Sequence, residues 1–355
     1  MVEMYMEEAE APMFLSGFFR SPPRNFHTSE KVEIDIIRDE PDIAIVIVDL
    51  STGARMNENN KYVNKAFTPP VLNEAGAITA YDMIKRRPGF DPFQDPDFGA
   101  AAAEQAFGII RKLERKIRRT VELQASQVLA TGAVTLIDSS GTTVYTIDFL
   151  AKSSHKATVG TAWATDGSTG TPLADLGALA RTVRRDGKVK PNVLVFGSSA
   201  WIRFLANAAV QKMFIDNNNS PNIGTIAPET RGEGATFMGF IWIENYRFEC
   251  WTYDAFYKHP QTGTLTDFVA SDHVLMLSRQ SRLDLSYGAI PLLRQPDSAV
   301  MTFLPPRMSS SDRGLDLSVN AYFTPNNKSL IVEAGTRPLA IPTAIDTFAR
   351  LDVVP

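Results

Sequence analysis

Residues 97–131 carry the feature that most limits what this chain can fold into. Phe107, Ile110, Leu113, Ile117, Val121 and Val128 recur at spacings of three, four or seven, the repeat of one face of an α-helix. Asp95 or Asp97 can cap its start, and Pro96 suits a first turn. Gly132 stands where a C-terminal stop is expected. At about 1.5 Å per residue such a helix runs about 50 Å, well beyond the usual globular length. It acts as a strut, and the rest of the chain has to be arranged around it.

The segments before the strut cannot stand alone. In residues 1–30, Pro12, Pro22 and Pro23 forbid a long helix. Phe14, Leu15, Phe18 and Phe19 are nevertheless too apolar to be left in water. An apolar arm without periodicity has to pack on something large, either a neighbouring subunit or its own domain. Residues 31–67 predict two long strands. In KVEIDIIRD, Val32, Ile34 and Ile36 face one way and Glu33 and Asp35 the other. In DIAIVIVDL, Ile43, Ile45 and Ile47 alternate with Ala44, Val46 and Val48, so both faces are apolar. The stretch STGARMNENNKY supplies the turn. A two-stranded ribbon this long is marginal alone in water. The expected inter-subunit contacts are therefore Phe14, Phe18, Phe19, Ile34, Ile36, Ile43, Ile45 and Ile47.

Beyond the strut, 133–150 reads as a hairpin, with AVTLID, the turn SSGT and TVYTIDFL. Residues 172–300 turn to mixed α/β. PLADLGALARTVRRDG is an amphipathic helix ended by Gly187, VLVF a short buried strand, and SSAWIRFLANAAVQKMFI a second helix. FMGFIWIENYRFECWTY and HVLMLSR are strand-rich, and 301–355 carries further strands such as SLIVEAG. The fold class is α+β.

Chemistry finds little purchase. The four histidines (His27, His155, His259 and His273) have no partner at metal-ligand spacing, and no HExxH or CxxC occurs. Asp272 and His273 are sequence neighbours, which point to opposite sides of a strand. Gly197-Ser198-Ser199-Ala200 lacks the nucleophile-elbow pattern; Ser198 or Ser199 is more simply a helix N-cap. Gly232, Gly234 and Gly239 resemble a phosphate loop, but Phe237 stands at the third glycine, and the stretch reads as a mobile surface loop. No catalytic residue, metal or cofactor is expected. The lone Cys250 excludes an internal disulfide and reads as a small buried hydrophobe in a protein of a reducing compartment. The acidic N-terminus argues against a secretion signal. No apolar run approaches the roughly 20 residues that a membrane helix needs.

With a net charge of −4 the chain is not built to grip nucleic acid with its whole surface. One local exception is Arg111, Lys112, Arg115, Lys116, Arg118 and Arg119 on the strut. Steps of three and four put Arg111, Arg115, Arg118 and Arg119 on roughly one side. A solvated face, DNA phosphate, and acids of the ribbon such as Glu33, Asp35, Asp39 and Glu40 are the three readings. The clustering favours the acids, because opposed anions would relieve the repulsion along the helix.

The order of elements runs apolar arm, ribbon, Pro-rich crossing, very long helix, hairpin, α/β region and β-rich return. It resembles the tailed-phage capsid fold called Hong Kong ninety-seven, and within it the lambda-type major capsid protein E family. The resemblance is carried by FFRSPPRNFHTSEKVEIDII at 18–37, FTPPVLNEAGAITAYDMIKRRPGFDP at 67–92, PNVLVFGSSAWIRF at 191–204, RLDLSYGAI at 282–290 and SLIVEAGTRPLAIPTAIDTF at 329–348. It implies an N-terminal arm at 1–30 and an extended loop at 31–75. It implies a peripheral domain at 76–171 and 301–355 with the strut as spine, and an axial domain at 172–300. It further implies a shell-building subunit, not an enzyme, that forms hexamers and pentamers of an icosahedral head made in the host cytoplasm. Double-stranded DNA would lie on the inner face, with decoration, scaffold and portal proteins as further partners and no membrane. No long charged helical prefix is present, so a separate scaffold is expected, and Lys31, Lys61 and Lys65 give no sequence basis for a covalent cross-link. The alternatives are a bacterial nanocompartment shell protein, which shares the fold, and an α/β hydrolase-like enzyme using 172–300.

Overall fold

The spine helix α1 (Phe98–Thr131) runs unbroken for 34 residues, as the heptad-like apolar spacing predicts. It stops at Gly132, whose φ of 68° is the left-handed C-terminal conformation and whose N–H donates to the Val128 carbonyl at 2.8 Å. A Cβ at Gly132 would sit 2.3 Å from that of Ala151, so glycine is needed for space as well as for φ. Asp95, Pro96 and Asp97 lie outside the described residues. The computed structural model describes 11–29, 31–37, 62–79, 82, 98–138, 140–215, 224–230, 234–290, 315–324 and 329–355.

Before the helix come strands β1 (Val32–Ile37), β2 (Tyr62–Phe67) and β3 (Leu72–Thr79). After it come β4 (Ala133–Ile137), β5 (Thr143–Asp148), β6 (Lys156–Thr158), helix α2 (Pro172–Gly187) and β7 (Val193–Phe196). Helices α3 (Ser198–Ala206) and α4 (Ala208–Ile215) follow, then β8 (Gly224–Thr230), β9 (Ala235–Ile243) and β10 (Tyr246–Tyr253). The chain continues through β11 (Phe256–Lys258), β12 (Leu265–Asp267), β13 (His273–Leu277) and β14 (Leu283–Tyr287). It closes with β15 (Ser318–Phe323), β16 (Ser329–Thr336), β17 (Pro338–Pro342) and β18 (Ala349–Asp352). None of the described helices is long and apolar enough to cross a membrane.

A seven-stranded mixed sheet in the order β6-β18-β13-β7-β10-β9-β8 is the centre of the molecule. It draws strands from 156–158 and 349–352 as well as from 193–277. Both its faces are covered, which is why VLVF is uninterruptedly apolar. Val193 and Val195 join the core under the C-terminal half of α1, with Val121, Val128 and Leu129. Leu194 and Phe196 join a second core with Leu176 and Val183 of α2 and Trp201 and Phe204 of α3. Cys250 lies buried in this second core, as expected, and burial pushes its thiol well above the ordinary range. A third cluster lies where α1 crosses the three-stranded sheet β15-β16-β3, with Leu113 and Ile117 against Ala334. Gly76 permits that approach, since a Cβ there would stand 2.6 Å from Ile109.

Three local expectations are corrected. The stretch through Gly234, Phe237 and Gly239 is not a surface loop (Gly232 lies outside the described residues). From Ala235 onward it is β9, with Gly234 in the turn before it and a bulge where the register to β10 shifts between Cys250 and Trp251. One extra residue flips the side chains to the opposite face: Ala235 and Phe237 join the first core, Ile241 and Ile243 the second. The predicted second helix is two. Asn207 breaks it with ψ 128°, and its Oδ1 accepts the Ala209 N–H at 3.0 Å to cap α4. Gly197, not Ser198 or Ser199, is the N-cap of α3; a Cβ on it would meet the Ala270 carbonyl at 2.3 Å. Helix α2 ends at Gly187 as expected, and Lys188 beyond it takes the left-handed position at φ 58°. Gly187 is required by its neighbour instead, since a Cβ would come within 2.3 Å of the Asp346 carbonyl.

Candidate functional site: the arm anchor and the spine helix

The arm is fastened to its own chain by a buried carboxylate. Glu122, in the C-terminal half of α1, has no exposed surface. Its Oε1 accepts the Leu15 N–H at 2.7 Å and the Tyr253 hydroxyl at 2.7 Å, and its Oε2 accepts the Ser16 N–H at 2.8 Å. Burial pushes the Glu122 carboxyl above the usual range, against the hydrogen bonds from Ser16, Tyr253 and Leu15. The short 3-10 turn Ser16–Phe18 presents the two amides, so its unsatisfied N-terminal donors find an anion. Around this polar point Phe14 packs on Trp251 and Tyr253 with ring centroids 4.9 and 5.4 Å apart. The arm then runs beside β14. The Arg20 N–H donates to the Leu283 carbonyl at 2.8 Å and the Leu285 N–H to the Arg20 carbonyl at 2.8 Å. Phe26 stacks on Tyr287 at 4.9 Å.

This corrects the expectation that Phe19 serves a neighbouring subunit: it is buried in the chain's own first core beside Leu15. Phe14 and Phe18 pack against that core and keep part of their surface open. The physical reason is the sheet face: Trp251 and Tyr253 already offer an apolar wall within reach.

Of the two expected ribbon strands, KVEIDIIRD is present as β1 and DIAIVIVDL lies outside the described residues; β1 pairs antiparallel with β2, in register from Val32 opposite Phe67 to Ile37 opposite Tyr62. Ile34 and Ile36 lie on β1 opposite Lys65 and Val63. Ile43, Ile45 and Ile47 lie outside the described residues, as do Asp39 and Glu40. The strand Tyr62–Phe67 was not singled out in the sequence, where YVNKAF follows a polar turn. Two carbonyls just beyond it are held firmly. The Tyr145 hydroxyl donates to Thr68 O at 2.6 Å, and buried Arg337 donates to Pro69 O at 3.2 Å and to Ala289 O at 3.1 Å.

The basic stretch of α1 is split. The Arg118 guanidinium grips the Asp316 carboxylate with both nitrogens, at 2.6 and 2.5 Å, and reaches Glu114 at 3.5 Å. Tyr287 donates to the same carboxylate at 2.7 Å. Burial alone would raise the Asp316 carboxyl, yet Arg118 and Tyr287 hold it below the usual range. Lys116 pairs with Glu74 of β3 at 2.6 Å. Acidic partners within the chain thus exist for part of the cluster, and among the described residues they come from α1 itself, β3 and the segment before β15; the side chains of Glu33, Asp35, Asp39 and Glu40 lie outside the described residues. The Arg115 Nε donates to the Arg111 carbonyl at 3.2 Å; Arg111 and Lys112 are exposed, and Arg119 is half-buried.

One titratable cluster escaped sequence inspection. The Nδ1–H of the buried His155 donates to the Phe348 carbonyl at 2.8 Å and its Nε2 meets Asp186 at 3.2 Å, and Asp346 completes a group whose ligand atoms lie within 4.8 Å. Lys152 Nζ stands 3.1 Å from Asp186 and 3.4 Å from Asp346, so the acids already have a cation. Their separation along the chain left no spacing signal. His273 meets Asp352 at 2.9 Å and not its neighbour Asp272, and burial lowers its pKa.

A family model described as phage major capsid protein E matches residues 7–353. Among solved structures, a protein assigned as the capsid protein of an Escherichia coli CFT073 prophage aligns with TM-score 0.57 at 16% identity, over 83% of this chain and 80% of that one. A chain from the structure of Microbacterium phage Oxtober96 aligns with TM-score 0.49 at 11% identity, over 100% and 95%. The SrpI encapsulin of Synechococcus elongatus PCC 7942 aligns with TM-score 0.48 at 12% identity, over 99% and 92%. No curated protein matches the sequence. The prophage likeness is one of fold.

Proposed function

The chain belongs to the phage major capsid protein E family, and on that premise we propose that it forms hexamers and pentamers of an icosahedral head around double-stranded DNA. As a member it is a structural subunit of the virion capsid that self-assembles into a shell. The observation that carries the reading is the match across 7–353, which leaves almost none of the chain outside it. Assembly takes place in the host cytoplasm, with scaffold, portal and decoration proteins as partners, and the chain catalyses no reaction.

We assign the arm to 1–30, the extended loop to 31–75, the peripheral domain to 76–171 and 301–355, and the axial domain to 172–300, with β6 and β18 completing the axial sheet. Many weak contacts between copies close the shell by multivalency. The ribbon supplies one of them, through Ile34, Ile36, Ile43, Ile45 and Ile47; Phe14 and Phe18 supply another through the surface they keep open. The polar side of α1 faces the lumen. We assign Arg111, Arg115 and Arg119 to a phosphate-facing stripe, on the same stretch of helix as Arg118, which pairs with Asp316.

A nanocompartment shell uses the same fold, and the family match favours the phage capsid over it. A hydrolase reading has no support at Ser198 and Ser199, which sit in the first turn of α3 without a nucleophile elbow. The test replaces Ile45 and Ile47 with Asp, putting charge where each side chain contributes roughly 1.5–3 kcal/mol by burial. The expected result is a folded subunit that forms no shells; normal shells would refute the ribbon contact. Arg115→Gln with Arg119→Gln then addresses the DNA role. Normal empty shells with failed DNA-filled heads support it, and normal filled heads refute it.

A further inference from the structure

Two small hairpins lie against the first core and turn their outer faces to solvent. β4 pairs with β5, and β11 with β12. Both send alternate side chains inward: Tyr145 and Ile147 from one, Tyr257 from the other, pack on the same core. Their tips touch, because Gln261 lies over Gly141, where a Cβ would come 2.3 Å from its Cδ. The outward positions of a strand with one solvated face are ordinarily polar. Here they include Val144, Phe256 and Leu265, each more than half exposed.

Charges sit among them in a particular way. Phe256 is directly opposite Asp267, and Lys258 directly opposite Leu265, so one face of a single hairpin carries an apolar group, an acid, a base and a second apolar group. Lys258 and Asp267 are both exposed. Such a face is self-complementary. Turned through a two-fold axis onto another copy, it can place Lys258 of one chain against Asp267 of the other while Phe256 and Leu265 are buried between them. Symmetric assemblies use contacts of this isologous kind, in which residue i meets j and j meets i.

We propose that the outer face of the paired hairpins, centred on Phe256 and Leu265 with Val144 at its edge, is a two-fold contact between two copies of this chain in the shell. The proposal rests on the shell-assembly reading and deepens it by naming a surface. Each hairpin is too short to be stable by itself, so a covering copy also protects the strands.

The test uses full-length protein under the conditions in which the wild type forms shells. Leu265→Glu should lower the yield of shells about ten-fold or more, as the loss of one well-buried apolar contact implies, with an unchanged melting temperature for the free subunit. Leu265→Cys gives a second readout. In assembled shells a short bismaleimide should convert it to covalent dimers, while wild type stays uncoupled because its Cys250 is buried. Shells of Leu265→Cys that give no dimers, or normal shell yield from Leu265→Glu, would overturn the docking surface and leave shell assembly standing. A wild type that forms no shells would instead overturn the assembly reading beneath it.

Discussion

The two halves of the spine helix obey the same apolar repeat and meet opposite fates. From Val121 to Leu129 the helix is enclosed on nearly every side, and even Glu122, Gln124 and Ser126 are buried. Each polar side chain there has a remote partner: the arm and Tyr253, the Ala340 N–H at 3.3 Å, and the Phe268 carbonyl. Before Leu113 the helix is largely open, and Phe107, which belongs to the same repeat, is 63% exposed. Periodicity therefore says that a helix forms and which face is apolar. What lies against each turn is decided by segments more than 100 residues away in sequence, as the Leu15 to Glu122 bond shows.

The contrast can be broken from either end. In the enclosed half, Glu122→Ala strands two buried amides and a hydroxyl, at about 1–3 kcal/mol each. It should be the most destabilising of these changes and should free the arm. Limited proteolysis near Leu15 together with a melting curve checks both consequences. Leu129→Ala, about two turns further along the same enclosed stretch, should cost about 2–5 kcal/mol in chemical denaturation. At the end of the helix, Gly132→Ala meets a left-handed φ and the Ala151 methyl; about 1–2 kcal/mol from backbone strain alone is expected, read from the same denaturation series.

Between the halves, Asp316→Asn should cost about 1 kcal/mol, kept small because solvent reaches the pair. Its pH dependence has a definite sign. The folded carboxyl lies below its ordinary value of 3.8, so its contribution is complete above that value and is lost as pH falls through the lower folded one. Melting curves from neutral pH down into that window should lose the wild type's extra acid sensitivity when Asp316 is Asn. In the open half, Phe107→Ala should change the stability of the free subunit by less than about 0.5 kcal/mol. A larger loss would show that Phe107 is covered within the chain.

What the sequence made legible follows from local physics. The strut and its glycine stop, the hairpin 133–150, α2 and the doubly covered strand VLVF are set by period, turn residues and run length, which neighbours in sequence decide. The rest depends on contacts that sequence spacing does not encode. Asn207 looks like one more polar residue in a helix until its side chain is seen capping the next one. The β9 bulge hides in an apolar run because both faces of that sheet are apolar. The arm's aromatics were legible as buried, but their own sheet, not another copy, buries Phe19. The basic stretch showed that anions had to be near; among the described residues Asp316, Glu74 and Glu114 answer part of it, and sequence spacing alone points to neither Asp316 nor Glu74.

Electron microscopy of the purified full-length chain, with light scattering to follow the reaction, tests the central claim most directly. The account predicts closed shells of uniform size built from hexamers and pentamers. Monomers alone under every condition, including in the presence of phage scaffold and portal partners, would contradict it.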